Sequence, residues 1–117
     1  MRFGFEDLKV WQEGMVLSRA VYEVTKGFPK EEQFGLTSQL RRAAVSVPAN
    51  IAEGKGRYHR KEYLQFLYTA RGSLYEAITM GKLSLELSYM TQEHYQELTG
   101  ISQSLMSKLS GLINSLK

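Results

Sequence analysis

The chain has 117 residues, no cysteine and a net charge of only +3. That length supports one hydrophobic core and one domain over residues 1–117, and the missing thiols exclude a disulfide scaffold or a thiolate metal site and fit a reducing compartment. The opening MRFGFEDLKVWQ has no apolar run of signal-peptide length, and nowhere do eighteen apolar residues follow one another, so a cytoplasmic protein without a membrane span is expected.

Apolar residues recur at helical spacing throughout, and no segment alternates with period two. The first helix is expected to begin near Asp7 or Leu8, with Val10, Trp11, Met15, Leu17, Val21, Tyr22 and Val24 on its apolar side. It should stop at KGFP, where Gly27 and Pro29 break it. After the turn PKEEQFG, a second helix runs from Leu36 to Gly54 or Lys55. Pro48 lies inside that helix and removes the amide that would bond the Ala44 carbonyl. A bend or local unwinding is expected there, with Ser46 or Asn50 as candidate partners for the freed carbonyl. EGKGR should close the helix, with Gly54 or Gly56 as a left-handed cap. A third helix is expected over Arg60–Tyr89, about 45 Å long at about 1.5 Å per residue. Thr91 then caps a fourth, which carries Leu98, Ile101, Leu105, Leu109, Leu112 and Leu116 to the C-terminus. The fold class is all-α: an antiparallel up-and-down four-helix bundle with helix two kinked at its proline.

Three of these helices show more than one uncharged face. Helix two has Val45, Ala49 and Ala52 beside its main apolar stripe, and helix three has the line Ala70, Ser73, Ala77, Gly81, Ser84 and Ser88. Between Leu98 and Leu116, helix four has Lys108 as its single charge. Charge-depleted faces of this kind point to homo-oligomerisation.

Charge is distributed unevenly. Residues 41–71 hold Arg41, Arg42, Lys55, Arg57, Arg60, Lys61 and Arg71 against Glu53 and Glu62, a local +5 in a chain whose total is +3. A basic middle suggests an anionic partner; a solvated helix junction explains the same residues. On helix two, Gln39, Arg42, Ser46, Asn50 and Glu53 share one face. They read either as a structural polar seam whose members satisfy one another or as a face turned to a ligand. No catalytic chemistry is visible. GKGR lacks the first glycine, the Ser or Thr and the preceding strand of a phosphate-binding P-loop. His59 and His94 are not at metal-ligand spacing, and no Ser-His-Asp or Ser-Lys arrangement is present. No cofactor, metal or enzymatic activity is expected. The basic residues cluster at a junction rather than along an amphipathic face, which argues against a membrane-surface helix.

DLKVWQ (Asp7–Gln12), FPKEEQFGL (Phe28–Leu36), QLRRAAVSVPANIAEGKGR (Gln39–Arg57) and YLQFLYTARGSLYEA (Tyr63–Ala77) together resemble the bacterial four-helix-bundle family of 23S rRNA intervening-sequence proteins. Val47 stands where that motif commonly has isoleucine. The resemblance implies an up-and-down bundle, homopentameric rings and a link to nucleic acid through gene context. It extends distantly to the accessory protein of diversity-generating retroelements, which works with a reverse transcriptase. Neither relationship supplies a catalytic residue. The leading expectation is a non-enzymatic homo-oligomer associated with RNA or DNA, with little sequence preference. Arg41, Arg42, Lys55, Arg57, Arg60 and Lys61 would contact the phosphate backbone, while Tyr58 and His59 would stack on unpaired bases. The alternative is a protein-binding scaffold, for a reverse transcriptase or another partner. In that case the arginines would pair with Glu53, Glu62 or Glu76.

Overall fold

In a computed structural model that describes residues 2–117, the chain forms four helices: α1 (Lys9–Thr25), α2 (Leu36–Lys55), α3 (Arg60–Glu86) and α4 (Gln92–Leu116). Each packs on its two neighbours in a square, α1 on α2 and α4, and α3 on α2 and α4, and among the described residues no backbones approach closely across the diagonals. Short connections therefore reverse direction three times, giving the antiparallel up-and-down bundle that the periodicity predicts. The result is a rod of 43 × 25 × 23 Å. Its axis is filled by side chains such as Leu17, Leu40, Ile51, Leu67, Leu74 and Leu105, all essentially inaccessible to water. Among the described residues, no helix is long and apolar enough to cross a membrane.

The predicted boundaries shift where local chemistry intervenes. A short 3-10 turn, Gly4–Asp7, precedes α1, so the α-helix proper begins at Lys9. Thr91 caps α4 as expected, its Oγ1 accepting from the His94 amide at 3.1 Å. α3 ends at Glu86 rather than Tyr89, because Ser88 adopts a left-handed backbone with φ of 63°. The Ser88 and Tyr89 amides then bond back to the Leu85 and Ser84 carbonyls, at 2.9 and 2.8 Å, in a Schellman closure.

α2 stays helical across Pro48, so the expected unwinding is absent. The freed carbonyl finds its partner in a different helix from the one expected. Neither Ser46 nor Asn50 serves it; the Ser18 hydroxyl of α1 lies 3.2 Å from the Ala44 oxygen and 2.9 Å from that of Gly14. Gly14 makes this approach possible, since a Cβ there would lie 3.1 Å from the Pro48 Cβ. Proline ring, glycine notch and serine hydroxyl thus form one α1–α2 joint.

The predicted left-handed glycine cap on α2 is also corrected. Gly56 ends the helix with right-handed φ −79°, and among the described residues no glycine has positive φ. Gly54 lies within the helix, buried, where a Cβ would sit 2.7 Å from the Phe66 Cβ and 3.0 Å from Tyr63 Cδ1. It is there for closeness between α2 and α3. The small-residue line of α3 has a similar use: Ala70, Ser73, Ala77, Gly81 and Ser84 are buried inside the chain's own bundle, with only Ser88 outside. That line does not form a second face. Val45 and Ala49 of α2 do face outward.

Candidate nucleic-acid interface

The reversal between α2 and α3 takes only four residues, Gly56–His59. It therefore throws every side chain from Lys55 to Glu62 onto the surface at one end of the rod. Lys55, Arg57, Arg60 and Lys61 lie there together, and among the described residues none of them forms an ion pair. Two rest on aromatic rings of α3 instead. The Lys55 ammonium is 5.9 Å from the Tyr63 ring centre, and the Arg57 guanidinium is 4.7 Å from that of Phe66. Burial pushes the Tyr63 phenol up from its ordinary pKa. Tyr58 is 94% exposed and touches His59 edge-on, with ring centres 5.0 Å apart. Cations held by rings keep their charge available to an anion, and an exposed phenol offers a flat face to a base.

The other two candidate cations lie elsewhere. Arg42 is thirteen residues before Lys55 on the same helix, about 20 Å along it. Arg41 is drawn toward α1: its Nε donates to Thr25 Oγ1 at 2.8 Å, and its guanidinium stacks 4.5 Å from the Tyr22 ring centre. The eight candidate binding residues therefore divide into a tip of six and an upper pair.

The polar seam divides as well. Asn50 Nδ2 donates to the Ser46 carbonyl at 2.8 Å and to Ser46 Oγ at 2.9 Å. Ser46 Oγ in turn lies 2.8 Å from Ser73 Oγ on α3, a partner not anticipated from sequence. Gln39, Arg42 and Glu53 are exposed, and among the described residues they make no side-chain hydrogen bond or ion pair.

A second polar cluster was invisible in sequence because it joins α1 to α4. Glu13 Oε1 accepts from Ser104 Oγ at 2.6 Å, and Lys108 Nζ forms an ion pair with Oε2 at 3.0 Å. Burial raises the Glu13 pKa, but the hydrogen bonds from Ser104 and Lys108 and the Lys108 and Lys9 charges outweigh it and leave it below the ordinary glutamate value. The cluster holds helices together. No group of three or more His, Asp or Glu side chains suited to a metal ion occurs among the described residues.

No curated protein matches the chain. Its fold is shared with a 1.70 Å crystal structure of a protein of unknown function from the S23 ribosomal protein family of Bacteroides thetaiotaomicron. That likeness has a TM-score of 0.82 at 21% identity and covers 89% of this chain and 97% of the other. The family model described as 23S rRNA-intervening sequence protein matches residues 6–111, nearly the whole bundle and all of the basic tip, and the chain belongs to that family.

Proposed function

We propose that the chain is a non-enzymatic, self-associating protein that binds nucleic-acid phosphates through the α2–α3 tip, with little sequence preference. The observation that carries this reading is the state of the tip: Lys55, Arg57, Arg60 and Lys61 lie at one surface beside an almost fully exposed Tyr58, and among the described residues none of the four is in an ion pair. The family description, which refers to sequences intervening in 23S rRNA, supports the same choice of ligand. Phosphate contacts of this kind position a strand without reading its bases. In an oligomer, several tips engage one strand at once, so weak contacts multiply. Tyr58 and His59 add stacking on unpaired bases.

The test is light scattering coupled to size-exclusion chromatography, with and without a short structured RNA, at low and moderate salt. A mass shift that fades steeply with salt is expected. Charge reversal of Arg57, Arg60 and Lys61 to glutamate should abolish the shift and leave the protein's own mass unchanged. An oligomer indifferent to RNA at low salt overturns nucleic-acid binding and leaves a protein scaffold as the function.

A further inference from the structure

Arg42 and its neighbours form a surface that the tip does not account for. An open groove of about 620 Å³ crosses the outer face of α2 between Tyr22 of α1 and Glu76 of α3, with Arg42, Val45, Ser46 and Ser73 along it. Its centre is mildly apolar, Val45 being 41% exposed and Tyr22 44%. Its charged lip holds two guanidiniums, Arg41 and Arg42, against the one carboxylate of Glu76; Arg41 is held by Thr25 and Tyr22, and among the described residues Arg42 forms no ion pair. A groove of that size admits an aromatic side chain, and its lip selects an acidic neighbour.

The chain itself carries such a segment. The turn Glu31-Glu32-Gln33-Phe34-Gly35 projects Phe34 into solvent at 91% exposure, and unlike Tyr58 this ring has no polar atom to justify its position. Two acids flank it against one base, Lys30. Glu32 is committed within the chain, accepting from the Leu36 amide and the Tyr89 hydroxyl at 3.0 Å each, which fixes the turn; the exposed Glu31 beside the ring forms no ion pair among the described residues. Phe34 does not occupy the groove of its own chain. We infer that it fills the same groove on a second copy, with Glu31 facing Arg42 across the contact. This rests on the self-association part of the proposed function and names its surfaces.

Knob and groove are different surfaces, so every copy offers one of each and accepts one of each. That property supplies the test. Phe34→Asp removes the knob and keeps the groove; Arg42→Glu spoils the groove and keeps the knob. Both positions are exposed, so each variant should retain the wild-type circular dichroism and unfold cooperatively, with a melting temperature that no longer depends on protein concentration. Each alone should fall from the wild-type oligomer to the monomer mass by light scattering. Mixed in equal amounts, they share one intact knob–groove pair and should form a dimer of one copy of each. Variants that keep the wild-type mass, or a mixture that stays monomeric, overturn the knob–groove assignment while leaving self-association standing. A wild-type protein that is itself monomeric overturns both.

Discussion

The two ends of the rod treat polar residues in opposite ways. At the end where α1 meets α2 and α3 meets α4, both connections are tied together. Glu32 bonds the first amide of α2 with one carboxylate oxygen and the Tyr89 hydroxyl with the other. Phe28 and Tyr89 pack ring to ring at 5.6 Å, and Phe28 and Met90 are buried. At the opposite end, charged groups surround the α2–α3 reversal, yet its contacts are local: Lys55 on Tyr63, Arg57 on Phe66, Tyr58 against His59. At one end Glu32 and Tyr89 hold the two connections together; at the other, among the described residues, the cations have no carboxylate in an ion pair with them. The difference separates polar groups engaged within the fold from polar groups that are not.

The largest effect is expected just beneath the open tip, where the contrast reverses. Gly54→Ala drives a methyl to 2.7 Å from the Phe66 Cβ, an atom fixed to the α3 backbone and unable to swing aside. The variant should lose about 1–3 kcal/mol in urea unfolding through overpacking, even though alanine gains up to about 1 kcal/mol in helix propensity. A neutral result would mean that α2 and α3 separate freely there, and that the tip is loose down to its base.

At the tied end, Glu32→Ala leaves the Leu36 amide and the Tyr89 hydroxyl without their partner and should cost about 1–2 kcal/mol. The pH dependence gives a second readout. The bond to Glu32, followed by burial and the nearby Glu32 and Glu31 charges, raises the Tyr89 pKa above its ordinary value. A phenol raised in the folded state contributes stability below the unfolded pKa of about 10 and loses it as pH rises through the folded value. The gap between wild type and Glu32→Ala should therefore narrow in alkali. A gap that is constant with pH would show that the two connections are not tied through this bond.

How much of this was legible from sequence depends on whether the governing partner is local. Helix periods and the Thr91 cap concern neighbours in the chain, and the structure places them as read; of the six candidate cations, Lys55, Arg57, Arg60 and Lys61 lie at the α2–α3 turn and Arg41 and Arg42 do not. Ser18 answering the carbonyl freed by Pro48 is a contact across 26 positions, and no spacing rule points to it. The attachment of Arg41 to Thr25 and Tyr22 is of the same kind, as is that of Ser46 to Ser73. Small residues were ambiguous for a further reason. A glycine or serine line permits a close neighbour without saying whether it belongs to the same chain, and on α3 it does.

Ser88 shows a local rule broken. Its left-handed backbone closes α3 where glycine would be the usual signal, so the sequence showed no stop before Tyr89. Ser88→Gly should relieve the strain and stabilise the tied end by about 0.5–1 kcal/mol, raising Tm by about 2–6 °C. No gain would mean that the serine side chain contributes something glycine cannot.

The smallest expected effect on stability decides whether the comparison stands. Reversing Arg57, Arg60 and Lys61 to glutamate should shift unfolding by less than about 0.5 kcal/mol, as exposed sites without buried partners do. Two structural uses oppose that expectation. Arg57 covers the Phe66 ring, and a cation just past the end of α2 complements its dipole by about 0.3–1 kcal/mol. Arg57→Gln isolates both, because it keeps some cover over the ring and removes the charge. If the triple reversal is nearly silent and Arg57→Gln is silent, the charges of the tip are free in the sense a phosphate ligand requires. If Arg57→Gln alone costs more than about 1 kcal/mol, beyond what an exposed charge contributes, the tip is a structural end like the other, and RNA binding would have to be carried by Lys55, Arg60 and Lys61 without it.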